Sequence, residues 1–184
     1  MRRGWHSRGY LPHRDDEGLV QHVVFRLADS LPAHVTEGLA LLAKAEQRKR
    51  VDALLDRGLG ERILEKPEVA FIVSSALRHF DGERNRLHAW CVMPNHVHAM
   101  IAPVGGQPLG AIVKSWKIFT ARRINRLLDR DGPVWAPDYF DRFVRDDNHA
   151  AATFDYIEAN PVAAGLCPSP ADWPFSSASR ERCT

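Results

Sequence analysis

The feature that most constrains the fold is residues 86–102, where two apolar segments flank a Pro94-Asn95 turn. The segments "RLHAWCVM" and "HVHAMIA" each have the length of a strand, and the short turn between them predicts a β-hairpin. Residues two apart on a strand share a face of the sheet. The second strand is therefore predicted to turn three apolar side chains toward helices: Val97, Ala99 and Ile101.

The remaining segments predict an α+β fold. "QHVVFRL" and "YFDRFVR" have the pattern of strands, and helical patterns cover residues 33–58, 67–80, 108–132 and 149–160. The order β-α-α-β-β-α-β-α predicts a ferredoxin-like antiparallel sheet with helices packed on one face. The clearest helix, over residues 108–132, has a predicted core face made of Leu109, Ile112, Val113, Trp116, Phe119 and Leu127.

The length of 184 residues fits a single domain spanning 1–184, with a basic N-terminal arm at 1–17 and an irregular tail at 167–184. Trp173 and Phe175 are predicted to pack the tail onto the domain. No apolar run is long enough to span a membrane, and the N-terminus lacks the apolar region of a signal peptide. Three distant cysteines predict no disulfide framework, so a reducing cytoplasm is the expected location.

Two basic regions stand out although the formal net charge is only +2. The helix has no acidic residue between positions 114 and 126 and carries Lys114, Lys117, Arg122, Arg123 and Arg126. The N-terminal arm mixes cations and aromatic rings: Arg2, Arg3, Trp5, Arg8 and Tyr10. Such mixtures suit a phosphate backbone with stacked bases. Each region alone is more typical of a solvated helix face or a loose terminus.

His96 and His98 are predicted to project side by side from one face of the second hairpin strand. Paired neutral imidazoles are a common metal-binding arrangement. A solvent-facing strand that carries two polar residues explains a bare His-x-His at least as well. The pair therefore indicates a site only if other functional groups converge on it.

The last predicted helix supplies such groups. Tyr156 and Asn160 are four residues apart and share a helix face, while Phe154 and Ile157 are predicted to anchor the helix to the core. The alternative is a half-buried tyrosine and an asparagine that ends the helix before Pro161. Together, two imidazoles, an amide oxygen and a phenol could hold a divalent cation and bring a nucleophile to it.

A phenol has a pKa near 10 and is a poor nucleophile at neutral pH. A cation on a phosphate would offset the charge that develops on the phosphoryl oxygens. Attack would give a phosphotyrosine, which stores the energy of the broken phosphodiester. An enzyme of this kind could cut and rejoin DNA without ATP.

The motifs "MPNHVH", "DYIEANPVAAGL" and "DWPFSS" resemble those of the REP-associated tyrosine transposases. These are relatives of the single-tyrosine HUH insertion-sequence transposases, which act on single strands. The segments "GWHSRGYLPH", "LGAIVKSWKIFTARRIN" and "VWAPDYFDRFVRD" extend the resemblance over most of the chain.

The resemblance places the paired-histidine motif at His96, Val97 and His98 and the nucleophile at Tyr156. Asn160 stands where the insertion-sequence relatives carry a glutamine, and we infer that it completes the metal site. The resemblance implies the HUH nuclease fold, Mg²⁺ or Mn²⁺ as the cation, and single-stranded hairpin DNA from repetitive extragenic palindromes as the substrate. The expected product is a covalent 5′-phosphotyrosine, and the expected oligomeric state is a monomer.

Two other classes remain open. A non-catalytic nucleic-acid-binding protein derived from a transposase would keep the basic regions and leave the tyrosine idle. A zinc hydrolase would need a third protein ligand at a recognisable spacing, and the sequence has no HExxH motif. His22 and His88 are interpreted as structural residues, and Tyr10 and Tyr139 are weaker nucleophile candidates than Tyr156.

Overall fold

The computed structural model describes residues 5–8, 11–14, 18–31, 46, 50–51, 53–55 and 58–179. Its strands are β1 (Trp5–Arg8), β2 (Leu11–Arg14), β3 (Gln21–Arg26), β4 (Asn85–Val92), β5 (His96–Pro103) and β6 (Phe140–Phe143). Its helices are α1 (Pro67–Arg78), α2 (Leu109–Leu127) and α3 (Asp147–Ala163). The helix predicted over residues 33–58 falls largely outside the described residues.

Four strands form one antiparallel sheet in the order β4-β5-β3-β6. β5 is therefore a central strand, and it is buried along its whole length. β1 and β2 pair with each other as a separate antiparallel hairpin. The predicted hairpin at residues 86–102 and the predicted α+β fold class are both confirmed.

The two faces of the sheet are covered by different helices. Val97, Ala99 and Ile101 pack in the main core with residues of α1 and α2, as predicted. The helices were predicted to pack on one face, but α3 lies on the opposite face, where Ile157 packs against Cys91, Met93 and Met100. The histidine face of β5 is consequently covered by α3 and not open to solvent.

The core face of α2 differs from the predicted one toward its C-terminal end. Phe119 and Leu127 were predicted to be buried but are 51% and 48% exposed. Thr120 and Ile124 are buried in their place. The Thr120 hydroxyl donates to the carbonyl of Trp116 at 2.7 Å and accepts from the indole of Trp135 at 2.9 Å. These hydrogen bonds satisfy a polar side chain at a core position, and the aromatic Phe119 is left outside.

The ends of α3 also differ from the predicted ones. Asp146 is the N-cap, since its side chain accepts from the backbone N–H of His149 at 2.8 Å. Pro161 was predicted to stop the helix but lies inside it. The helix ends at Ala163, and Gly165, two residues further on, adopts a positive φ of 71°. The two closing bonds, Gly165 N–H to Val162 and Leu166 N–H to Pro161, are those of a Schellman turn.

The C-terminal tail runs along the outer edge of β4. The backbone N–H of Val92 donates to the carbonyl of Phe175 at 2.8 Å, and the N–H of Ser177 donates to the carbonyl of Trp90 at 2.9 Å. Trp173 packs on the α3 side of the sheet and Phe175 on the α1 and α2 side. The prediction that these two residues dock the tail is confirmed.

A smaller cluster extends the core beside β3. Val24 packs with Leu31, Val51 and Leu55, all of which are buried. Among the described residues, no helix is both long enough and apolar enough to cross a membrane.

Candidate active site

The site is built on the α3 face of the sheet, where β3 and β5 lie side by side. His98 pairs with Val24 and His96 with Arg26 in the antiparallel register. Both imidazoles are fully buried, and their Nε2 atoms lie 2.9 Å apart. The prediction that His96 and His98 share one face is confirmed.

α3 brings Asn160 to the same point. The buried amide of Asn160 places its nitrogen 3.4 Å from Nε2 of His98. Its Oδ1 is also buried, and it has no hydrogen-bond partner among the described residues. A half-turn of the amide would present this oxygen to the imidazoles. This oxygen, buried without a hydrogen-bond partner, is therefore suited to a bound group that accepts an oxygen lone pair.

Tyr156 lies one helical turn before Asn160 and is 39% exposed. Its ring contacts that of His98 edge-on, with ring centroids 5.7 Å apart. The phenol thus lies at the border between solvent and the buried imidazoles, where an extended substrate can reach it. Phe154, predicted to help anchor this helix, is instead exposed, and Ile157 alone of the predicted pair is buried.

Two residues near the imidazoles were not identified as part of the site from the sequence. His22 was interpreted as structural, but its Nε2 lies 3.0 Å from Nδ1 of His98 and its ring contacts that of Tyr156. Asn95 was interpreted only as a turn residue, but its Oδ1 lies 2.7 Å from Nδ1 of His96. Both contacts depend on the three-dimensional fold, although the position of Asn95 next to His96 was a usable signal.

Burial determines the protonation of the imidazoles. Desolvation lowers the pKa of His96 to about 3, and proximity to His22 adds to the effect. Desolvation and then the proximity of His96 lower the pKa of His98 well below its usual value. Both rings are therefore neutral at physiological pH, which is the form that binds metals.

These residues fit a divalent cation. Two ligands at right angles, each about 2.1 Å from a cation, lie about 3.0 Å apart, close to the observed separation of the Nε2 atoms of His96 and His98. In the described part of the chain, no three His, Cys, Asp or Glu side chains form a metal-binding group. The amide oxygen of Asn160 is a donor suited to Mg²⁺ or Mn²⁺ and could supply a third ligand.

The predicted DNA-binding residues of α2 lie on the other side of the sheet from this site. Lys114, Arg122 and Arg126 are exposed on the outer surface of α2. Arg123, which belongs to the same basic region, lies with its guanidinium 5.9 Å from the ring centroid of Phe119. The predicted phosphate contacts of this surface stay predictions.

Lys117 differs from the other cations of α2. Its ammonium donates to the carbonyls of Ala136 and Pro137 at 2.6 and 2.9 Å. Burial lowers the pKa of Lys117 to about 8, although Asp138 acts in the opposite direction. Its placement favours a structural role in holding the loop after α2, in place of the predicted phosphate contact.

Of the predicted DNA-binding residues in the N-terminal arm, two lie within the described residues. Trp5 and Arg8 belong to β1, whose backbone pairs with β2. Arg2, Arg3 and Tyr10 lie outside the described residues. Their predicted contacts with DNA stay predictions.

Comparison with known proteins identifies the family. The family described as "Transposase IS200 like" matches residues 64–160, more than half of the chain and the segment that holds both histidines, Tyr156 and Asn160. The chain belongs to this family.

Individual relatives agree with the assignment. A REP-associated tyrosine transposase of Escherichia coli K12 is 26% identical over 96 residues, which cover 52% of this chain and 55% of the relative. A Haemophilus influenzae protein assigned to the same group is 28% identical over 103 residues, covering 50% and 58%. The match spans little more than half the length of these curated relatives. The resemblance to the REP-associated group that the motifs indicated is confirmed.

A solved structure shows the same fold. The structure of a REP-associated tyrosine transposase bound to a REP hairpin superposes with a TM-score of 0.60 at 16% identity. The superposition covers 94% of this chain and 82% of that protein. The four-stranded sheet with its flanking helices is therefore the fold of that protein as well.

Proposed function

We propose that this protein is a metal-dependent single-strand DNA endonuclease and strand transferase that acts through a covalent 5′-phosphotyrosine. One observation carries the proposal: Tyr156, His98, His96 and Asn160 converge on the face of the sheet opposite the main core. Two neutral imidazoles, an orphaned amide oxygen and an accessible phenol form a set suited to metal-assisted phosphoryl transfer to tyrosine.

In the proposed reaction, the phenolic oxygen of Tyr156 attacks the scissile phosphorus and loses its proton. The bond from phosphorus to the 3′ oxygen breaks, and that oxygen leaves as a 3′-hydroxyl after taking up a proton. The downstream fragment stays joined to the protein through its 5′ phosphate. Attack by another 3′-hydroxyl on this linkage would join two strands and release the phenol.

The buried residues would hold the cation, and Tyr156 would supply the nucleophile. His96, His98 and Asn160 are the proposed protein ligands. A bound Mg²⁺ or Mn²⁺ would neutralise charge on the phosphoryl oxygens and orient the phosphate for attack. Ile157, buried against the sheet, sets the distance between α3 and the imidazoles, and so positions Tyr156 relative to the phosphate.

The proposed substrate is single-stranded DNA that folds into a hairpin. The REP hairpin bound by the structural relative supports this class, as do the exposed cations of α2 at Lys114, Arg122 and Arg126. The N-terminal arm is proposed to read bases beside the stem, because it mixes arginines with aromatic rings.

The test is covalent capture. A hairpin oligonucleotide labelled at its 3′ end is incubated with protein and Mn²⁺ and then analysed on a denaturing protein gel. Wild type is expected to carry the label at a shifted mass, and Tyr156→Phe to carry none. Tyr139→Phe is the matched control, because Tyr139 is a buried tyrosine in another part of the fold, and it is expected to form the adduct.

A labelled band in Tyr156→Phe would refute the assignment of the nucleophile. Nicking by wild type without an adduct would indicate a hydrolase. Hairpin binding by wild type without nicking or adduct would instead identify a non-catalytic nucleic-acid-binding protein.

A further inference from the structure

We propose that Asn95 and His22 are positioning residues that fix the tautomers of the two metal-binding imidazoles. Asn95 would act on His96 and His22 on His98, each from the side of the ring that faces away from the cation. This inference rests on the proposed metal site and assigns a function to two residues outside its ligand set.

The orientation of Asn95 follows from its hydrogen bonds. Its Nδ2 lies 3.2 Å from the carbonyl of Leu55 and 3.0 Å from that of Leu59. Backbone carbonyls only accept, so the amide nitrogen must face them and Oδ1 must face the other way. Oδ1 lies 2.7 Å from Nδ1 of His96. It can only accept there, so His96 carries its proton on Nδ1.

His96 consequently presents a lone pair at Nε2, the atom directed at His98. The assignment follows because the backbone carbonyls and Oδ1 of Asn95 can only accept, whereas Nδ2 of Asn95 can only donate. Because Asn95 is buried, turning its amide over would leave the amide groups facing unsuitable hydrogen-bond partners, at a cost in free energy. The asparagine thus holds His96 ready to bind a cation.

His98 has an equivalent acceptor in His22. If Nε2 of His98 binds the cation, its proton must be on Nδ1, and a buried N–H requires an acceptor. Nε2 of His22 lies 3.0 Å from Nδ1 of His98 and can accept when its own proton is on Nδ1. Since His22 approaches His98 across the ring from Nε2, it is placed as an orienting residue and not as a third imidazole ligand.

The variants are designed to separate hydrogen bonding from shape. His22→Gln retains an acceptor at nearly the position of Nε2, whereas His22→Phe keeps the ring and removes the acceptor. Asn95→Ala removes the acceptor behind His96. Removing such an orienting hydrogen bond is expected to weaken metal affinity about 10- to 100-fold. His22→Gln is expected to recover most of the loss seen in His22→Phe.

The measurements are Mn²⁺ and Zn²⁺ titration and nitrogen-15 NMR of labelled histidines, with Zn²⁺ as the diamagnetic probe. In wild type with Zn²⁺, His96 and His98 are both expected as Nδ1–H tautomers. In metal-free protein, His96 is expected to stay the Nδ1–H tautomer, and Asn95→Ala is expected to populate the Nε2–H form as well. Far-ultraviolet circular dichroism checks folding. If Asn95→Ala does not fold, the comparison of His22→Gln with His22→Phe tests the inference.

Equal metal affinity of wild type and His22→Phe, or an Nε2–H tautomer of His96 in wild type, would overturn the inference. The proposed function fails in a different way. If wild type binds neither ion, the metal site itself is wrong and the inference falls with it. If metal binding responds as expected but no phosphotyrosine forms, the positioning residues stand and the proposed reaction is wrong.

Discussion

The attachment of α3 to the sheet gives a quantitative prediction about Ile157. This side chain is completely buried against Cys91, Met93 and Met100, whereas Phe154 on the same helix is 36% exposed. Truncating a fully buried isoleucine to alanine removes its transfer free energy and leaves a cavity, at a cost of about 2–5 kcal/mol. We expect Ile157→Ala to lower the free energy of unfolding by about 3 kcal/mol, and Phe154→Ala by less than about 1 kcal/mol.

Urea unfolding measures both values, provided that the slope of free energy against urea is unchanged. Ile157→Val serves as the graded variant and should cost about 1 kcal/mol. Because α3 carries Tyr156 and Asn160, Ile157→Ala should also weaken Mn²⁺ binding, while Phe154→Ala should not. If Phe154→Ala cost as much as Ile157→Ala, the described packing of α3 on the sheet would be wrong.

Three further predictions concern charge. His96 and His98 have lowered pKa values in the fold, so the unfolded chain binds protons that the folded protein rejects. In EDTA, each of these histidines should lower the free energy of unfolding by about 1.4 kcal/mol for every pH unit as the pH drops below about 6.5, and for His96 this should continue toward pH 3. A stability that is flat from pH 7 to 5 would contradict this burial. Arg122→Ala should reduce the salt dependence of hairpin binding by roughly one unit of slope, whereas Lys117→Met should leave that slope unchanged and lower the melting temperature. Deleting residues 1–14 should reduce sequence preference more than total affinity, and competition between cognate and scrambled hairpins measures the difference.

The elements of the sheet could be predicted because their signals are local. Alternation in β5 determines which residues share a face, and the pairing of His96 with His98 follows from that periodicity alone. The core face of α2 was less predictable, because the polar Thr120 occupies a core position only where its hydroxyl accepts a hydrogen bond from the indole of Trp135, fifteen residues away. Apolar character alone therefore misplaced Phe119.

The surroundings of the histidines depended on long-range contacts. His22 meets His98 across 76 residues, and only the register between β3 and β5 brings them together. Asn95 meets the carbonyls of Leu55 and Leu59 across 40 and 36 residues. Every residue has a backbone carbonyl whatever its side chain, so no pattern in the sequence could indicate these contacts.

The tail beside β4 has a consequence for how the protein behaves in solution. β4 is a terminal strand of the sheet, and an uncovered strand edge is a template for pairing with another chain. The segment from Trp173 to Ser177 occupies the hydrogen-bonding groups of Trp90 and Val92 on that edge. Shortening the chain before Trp173 should therefore produce sheet-to-sheet aggregates, visible as concentration-dependent growth in light scattering, even where Tyr156 and the paired histidines are untouched.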